Sequence, residues 1–390
     1  MVVFGLGNMV AEPLRALRDA RDTDYASFVS AARILASGSR NLYSLAAQHA
    51  AESAYLGFTP PPSVANAFLN PAPAAFALVP LTGMSRSAGL AVFLAAACAC
   101  VVGALVLVLR DVLAPVEPRR LRAAVAVAAV CSLPAGMTLA LGQWDPFILI
   151  AETLALVWMS RGRHPFAAGL ALSMVILKPQ LGVLIPVFLI ASGQWRALGG
   201  FAAGGAGWLL ASFAILGGHL ADWPRLVIDN DSATTVHTLG LPGLAGMLTG
   251  STRASELTFV AAAVACAGLA IRLRRILSGS PAGALALGIG ASLLAAPHLW
   301  SDDLILLALP AAWWARTQPR AALAALVALS AAWGVDVAIG PITGPHVETL
   351  VLLGVVAALA TTLRKPASIP SSGRAQLTWP STRALPSTPA

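Results

Sequence analysis

Long apolar runs alternate with short polar turns along this chain, and the runs set the scale of its elements. Mostly apolar stretches occupy residues 87–109, 122–141, 146–160, 165–193, 197–217, 257–271, 281–297, 302–315, 321–338 and 347–363. A helix needs about 20 apolar residues to cross a bilayer, so each stretch except 165–193 predicts a full or somewhat short span. The stretch 165–193 is too long for one crossing, and "MVILKPQLGVLIPVFLI" at 174–190 interrupts it with Lys178-Pro179. Proline removes a backbone donor and clashes with the preceding turn, and the residue before it resists helical geometry. The pattern therefore predicts two short helices whose shared tip carries Lys178 and Gln180. The expected fold class is all-α, a polytopic membrane protein with about eleven transmembrane segments.

Composition and charge sharpen this picture. Of 390 residues, 57% are hydrophobic and only 11% charged, against about a quarter charged in soluble proteins. The net charge of +8 does not point to nucleic acid, because the arginines stand in short clusters between apolar runs. Those clusters are Arg110 with Arg119, Arg120 and Arg122; Arg161 with Arg163; Arg196; Arg272, Arg274 and Arg275; Arg316 with Arg320; and Arg364 with Lys365. Counting 165–193 as two crossings puts all six on one face, which the positive-inside rule makes cytoplasmic. Lysine occurs only at 178 and 365, and the abundance of alanine and arginine hints at a bacterial genome rich in GC. Cys98, Cys100, Cys131 and Cys266 lie in apolar runs without CxxC or Cys/His spacing, so neither a disulfide framework nor a metal site is expected.

The same parity divides the chain into an extracytoplasmic amino-terminal segment at 1–86, a transmembrane domain at 87–363 and a cytoplasmic tail at 364–390 of disorder-prone composition. It gathers Asp24, Gln143, Asp145, Lys178, Gln180, His298, Asp302 and Asp303 near one membrane face, although they are far apart in sequence. Ionisable groups at bilayer depth are costly unless paired or facing a wet cavity, which makes them functional candidates. The first 20 residues contain no spanning helix and no secretory apolar core, although the segment after them is assigned outside. Either a first helix lies upstream, which is the expectation, or the amino terminus is inserted in an unusual way.

Four stretches, in order, resemble the polytopic glycosyltransferases that use polyprenyl-phosphate sugars. They are "TDYASFVSAARILASGSRNLYS" at 23–44, "FLNPAPAAFALVPL" at 68–81, "LGQWDPFILIAETLALVWMSRGRHPFAAGLALSMVILKPQLGVLIPVFLIASGQWRAL" at 141–198 and "AAPHLWSDDLILLALP" at 295–310. The third is the most specific, joining a GQ turn, a KPQ break and a basic exit. The chain is similar to the bacterial alpha-mannosyltransferase and arabinofuranosyltransferase group, glycosyltransferase family 87, of the GT-C architecture. That group places a first helix before an extracytoplasmic loop that opens on an acidic residue. The resemblance therefore implies a twelfth helix ahead of this chain and gives Asp24 the acidic position, with Tyr25, Gly38, Leu42 and Tyr43 matching the loop that follows. The family often has Asn where this chain has Asp145.

The resemblance implies a sugar donor on a lipid phosphate and a glycolipid or polysaccharide acceptor in the plasma membrane, with the active site extracytoplasmic and no cofactor or metal. One carboxylate then suffices as general base, with inversion of configuration and a cation near the leaving phosphate. Asp24 is the expected base, with Asp22 as its neighbour and rival, and Lys178 the expected phosphate partner. Gln143, Asp145, Gln180, His298, Asp302 and Tyr25 are the expected substrate-binding residues, and His237 is a further candidate to touch the acceptor. Plainer readings stand beside these: Lys178 as an interfacial anchor, His298 as a structural histidine, and Asp302 or Asp303 as caps of the next helix. Mannose is the expected sugar and arabinofuranose the alternative. From another class, a secondary transporter or lipid flippase also uses broken helices with a buried charge, and a polysaccharide polymerase or ligase shares the setting.

Overall fold

A computed structural model describes residues 11, 14–18, 23–61, 67–130, 132–231, 238–339 and 347–364. The tail after Arg364, most of residues 1–22 and His237, all subjects of expectations above, lie outside the described residues. Among the described residues every regular element is helical. In chain order the α-helices are α1 (Tyr25–Ala36), α2 (Leu45–Leu56), α3 (Ala72–Ala77), α4 (Arg86–Leu107), α5 (Arg119–Val130), α6 (Leu133–Leu141), α7 (Asp145–Ser160), α8 (Pro165–Leu172), α9 (Ile185–Ala191), α10 (Trp195–Leu216), α11 (Asp222–Asp231), α12 (Gly240–Thr249), α13 (Thr252–Ser278), α14 (Pro281–Ala295), α15 (Ala308–Ala315), α16 (Pro319–Ile339) and α17 (Val347–Arg364).

Five helical stretches are long and apolar enough to cross a membrane: Arg86–Val112, Arg119–Leu141, Trp195–Val227, Thr252–Ser278 and Val347–Arg364. Shorter apolar helices lie between them, including Pro165–Leu177, Pro179–Ala191 and Pro281–Ala295, so helix length alone does not reproduce the expected eleven crossings. What covers these helices is legible from α13, where Leu257, Val260, Val264 and Ile271 are each more than half exposed. Their spacing puts them on one stripe of the helix. An apolar stripe turned outward in this way fits lipid. The protein is a membrane protein.

The helical break expected at Lys178 is present. α8 tightens into a 3-10 turn at Ser173–Leu177, Lys178 leaves helical geometry at φ −137° and ψ 78°, and a second 3-10 turn at Pro179–Gly182 leads into α9. A break frees backbone groups that must find partners inside an apolar bundle. The side-chain amide of Asn70 donates to the Leu177 carbonyl at 2.7 Å, and the Leu184 N–H donates to Ser292 Oγ of α14 at 3.1 Å. Asn70 stands in the "FLNP" stretch, so the segment before α3 is fastened directly to the break.

Close helix approach fixes the limbs of this hairpin. A Cβ on Gly200 of α10 would lie 2.0 Å from the Phe166 carbonyl oxygen of α8, and one on Gly169 of α8 would lie 1.8 Å from the Ala197 carbonyl oxygen. Backbones that near tolerate only glycine, the means by which membrane helices pack without a hydrophobic driving force. On the other side α9 packs on α14, whose residues Ala282–Ala295 are all buried. A helix apolar all round belongs at the centre of a bundle.

Candidate active site

The site is assembled from two turns, the segment before α1 and the break. The first is the end of α6, where Gly142 adopts φ +69° and closes the helix; that left-handed backbone favours glycine. The Asp24 N–H donates to the Leu141 carbonyl at 2.9 Å, which docks the segment before α1 on the GQ turn. Asp24 occupies the N-cap position of α1, yet its carboxylate makes no capping hydrogen bond. Instead Asp24 Oδ2 accepts a hydrogen bond from Gln143 Nε2. Asp24 lies outside the five membrane-crossing stretches, and burial pushes its carboxyl above the usual carboxylate range; the Lys178 ammonium and the Gln143 hydrogen bond pull it down, and Asp303 adds to the rise. The carboxylate is therefore hydrogen-bonded to Gln143 and within electrostatic reach of Lys178 and Asp303.

The second assembly surrounds Lys178. Its Nζ lies 2.7 Å from Asp145 Oδ2, 2.6 Å from Asp303 Oδ1 and 3.4 Å from Asp302 Oδ2. An ammonium has three N–H donors, and three carboxylates take them here. Asp145 opens α7 just ahead of Pro146, a helix start that favours both residue types. Asp302 and Asp303 open the 3-10 turn Asp302–Leu307. The Asp302 carbonyl accepts from Thr138 Oγ1 of α6 at 2.6 Å, and Asp303 Oδ2 accepts from the Trp300 N–H at 2.8 Å. Asp303 thus holds the backbone just ahead of its own turn and binds Lys178 at once. One oxygen from each of the three carboxylates lies within 4.8 Å of the others, a donor set that hard cations accept; the Lys178 ammonium contacts all three.

The remaining expected residues fall around these two assemblies. His298 Nε2 accepts from the Trp300 indole N–H at 2.9 Å, on the turn that leads to Asp302. Gln180 is half-buried at the tip of the break. Tyr25 is buried with its ring 5.3 Å from Phe93 of α4. The structure thus brings Asp24, Gln143, Asp145, Lys178 and Asp302 together, with Gln180, His298 and Tyr25 at the margin.

Two site features were not foreseen. One is the double engagement of Asp303: it stood among the candidates near one membrane face, with capping as its plainer reading, and no spacing rule tells that one carboxylate will serve the Trp300 N–H and a distant lysine together. Glu152 of α7 is wholly buried, and neither of its carboxyl oxygens has a hydrogen-bond partner among the described residues. It stands seven residues after Asp145, hence on the same helix face. An acid in the middle of an apolar run is the signal that would have found it. The Gln143 Oε1, the Trp144 indole nitrogen and Asp145 Oδ1 are likewise buried and unpartnered among the described residues.

A family model, glycosyltransferase family 87, matches residues 68–297, more than half of the chain. The chain belongs to that family. No curated protein and no solved structure matches it. The matched stretch contains Asn70, the GQ turn, Asp145, Glu152 and the broken helix with Lys178 and Gln180. His298, Asp302, Asp303 and Asp24 lie outside it, and the geometry ties them to the matched residues. A glycosyltransferase needs a sugar donor, an acceptor and a means of moving one proton.

Proposed function

We propose that this glycosyltransferase takes a sugar, mannose before arabinofuranose, from a polyprenyl-phosphate donor and passes it to an envelope glycolipid or glycan on the extracytoplasmic face of the plasma membrane. Asp24 is the general base. It accepts the proton of the acceptor hydroxyl as that oxygen bonds the anomeric carbon; the bond from that carbon to the phosphate oxygen breaks, and its electron pair leaves with the phosphate. A single displacement of this kind inverts configuration. The observation that carries the reading is the Asp24 carboxylate, which makes no capping hydrogen bond and is held by Gln143 beside the Lys178 cluster. A carboxylate raised by burial is a stronger base than a solvated one, which suits proton abstraction.

Lys178 gives its donors to Asp145, Asp302 and Asp303, so in this reading it is the counter-ion that unites the broken helix, the start of α7 and the 3-10 turn. It also favours the ionised form of Asp24. The phosphate-facing role expected of it requires exchange of one carboxylate for a phosphate oxygen. The transporter reading is the rival, because a broken helix with a buried lysine serves either purpose.

The test is transfer in vitro from polyprenyl-phosphate mannose and polyprenyl-phosphate arabinofuranose by the purified protein and by Asp24→Asn. Transfer from one donor, lost in the variant, is the expected result. No transfer from either donor, or undiminished transfer by Asp24→Asn, overturns the assignment. Counterflow of labelled lipid in sealed liposomes by a protein inactive in transfer would establish the transporter.

A further inference from the structure

Next to the Asp24 assembly stands a cationic cluster that the steps above do not use. The guanidinium carbon of Arg33 on α1 lies 5.0 Å from the Tyr55 ring centroid, and that of Arg86 at the start of α4 lies 5.7 Å from it. Both are within cation–π range of one ring. Two like charges gathered on one aromatic ring repel each other, and neither arginine has a carboxylate partner among the described residues. A cluster of this kind is completed by an anion.

Buried hydroxyls supply the second observation. Tyr55 and Tyr25 are only 2% and 1% exposed, and neither hydroxyl has a hydrogen-bond partner among the described residues. Tyr25 is within electrostatic reach of both Tyr55 and Arg33. Its hydroxyl presses on α4 at Gly89, where an added Cβ would lie 2.6 Å away. Tyr25 follows Asp24 directly, so this cluster and the base share one short stretch of chain.

Location selects the ligand. Arg86 opens the membrane-crossing stretch Arg86–Val112, which sets its guanidinium at head-group depth, and the first turn of α4 adds the positive end of its helix dipole. We propose that Arg33, Arg86, Tyr55 and Tyr25 form a binding site for the phosphate of a membrane lipid, the guanidinium groups holding its charge and the tyrosine hydroxyls donating to its oxygens. This deepens the glycosyltransferase reading, since a lipid phosphate anchored there delivers a donor to Asp24. The chemistry is shared by a polyprenyl-phosphate carrier and by an anionic phospholipid.

The experiment measures binding without transfer, so its outcome is independent of the sugar chemistry. The full chain in neutral detergent is titrated with polyprenyl monophosphate, with the matching polyprenol and with phosphatidylglycerol, and the bound lipid is counted by native mass spectrometry. A phosphate-bearing lipid binds the wild type about tenfold or more tightly than polyprenol, and Arg33→Gln/Arg86→Gln removes that preference. Preference for polyprenyl phosphate identifies the carrier as the occupant, and preference for phosphatidylglycerol identifies bulk lipid. Tyr55→Phe, which keeps the ring under both guanidinium groups, weakens binding several-fold and serves if the double variant does not fold. No preference for phosphate over alcohol in the wild type, or an undiminished preference in the double variant or, should that not fold, in Tyr55→Phe, overturns the proposal. Binding through the arginines by a protein that transfers no sugar would refute the proposed reaction and leave this site standing.

Discussion

At the scale of single residues, Asp24 and Gln143 carry the sharpest expectations. A general base contributes about a hundredfold to ten-thousandfold, so Asp24→Asn is expected to lower kcat by at least the smaller factor while the protein keeps its elution volume and melting temperature. The pH dependence follows from the base being active when ionised. Activity rises as pH climbs through the Asp24 value, which burial holds above the ordinary carboxylate range. The Gln143 hydrogen bond favours the charged form, so Gln143→Leu raises that value further and moves the acid limb of kcat/KM to higher pH. An acid limb that stays in place would show that Gln143 does not tune the base. That Asp24 is a candidate acid, with Asp22 beside it, was legible from sequence. Its partner was not, because Gln143 is more than a hundred positions away and reaches Asp24 only through the docking of α1 on the end of α6.

At the scale of elements, the broken helix is the feature that sequence chemistry described best. Proline at 179 requires the break, and the structure places it at Lys178. What the sequence leaves open is how the break is stabilised. Asn70 supplies a donor to the Leu177 carbonyl, and removing it leaves a buried acceptor unsatisfied at a cost of about 1–3 kcal/mol. Asn70→Leu is therefore expected to lower the melting temperature in detergent and to weaken activity, whereas substitution of the lipid-facing Leu210 of α10, 68% exposed, by Ala changes neither. Lys178→Met removes the cation from three carboxylates. Breaking a buried ion cluster from one side costs about 3–5 kcal/mol, so this variant should unfold more easily as well as lose activity. An interfacial lysine without buried partners would give neither effect. Combining Lys178→Met with Asp145→Asn should recover part of the stability, which a melting series reads directly.

At the scale of the whole molecule, the arrangement of arginine clusters on one face is the claim most open to direct measurement. The hairpin reading places Arg163 and Gln194, at the two feet of 165–193, on the same side of the membrane. Single cysteines at 163 and at 194, introduced after replacement of the four native cysteines, should react with a membrane-impermeant maleimide from the same side. Labelling from opposite sides would make the segment a single crossing and would undo the parity on which the extracytoplasmic assignment rests. The short helices α8 and α9, neither long enough to cross alone, are the reason this question is decided by labelling and not by helix length.

Apolar runs, proline and arginine placement determined by themselves that the chain is helical, lives in a membrane and is broken at Lys178, because lipid imposes a length and a backbone hydrogen-bonding demand that composition must meet locally. The sequence also held the resemblance to which the family match over residues 68–297 now gives substance. Tertiary structure alone decided which charges meet. Asp145, Asp302 and Asp303 converge on Lys178, and two arginines converge on Tyr55, through contacts between elements distant in the chain. Periodicity records which face of a helix is apolar and carries no information about which distant side chain will share a buried charge.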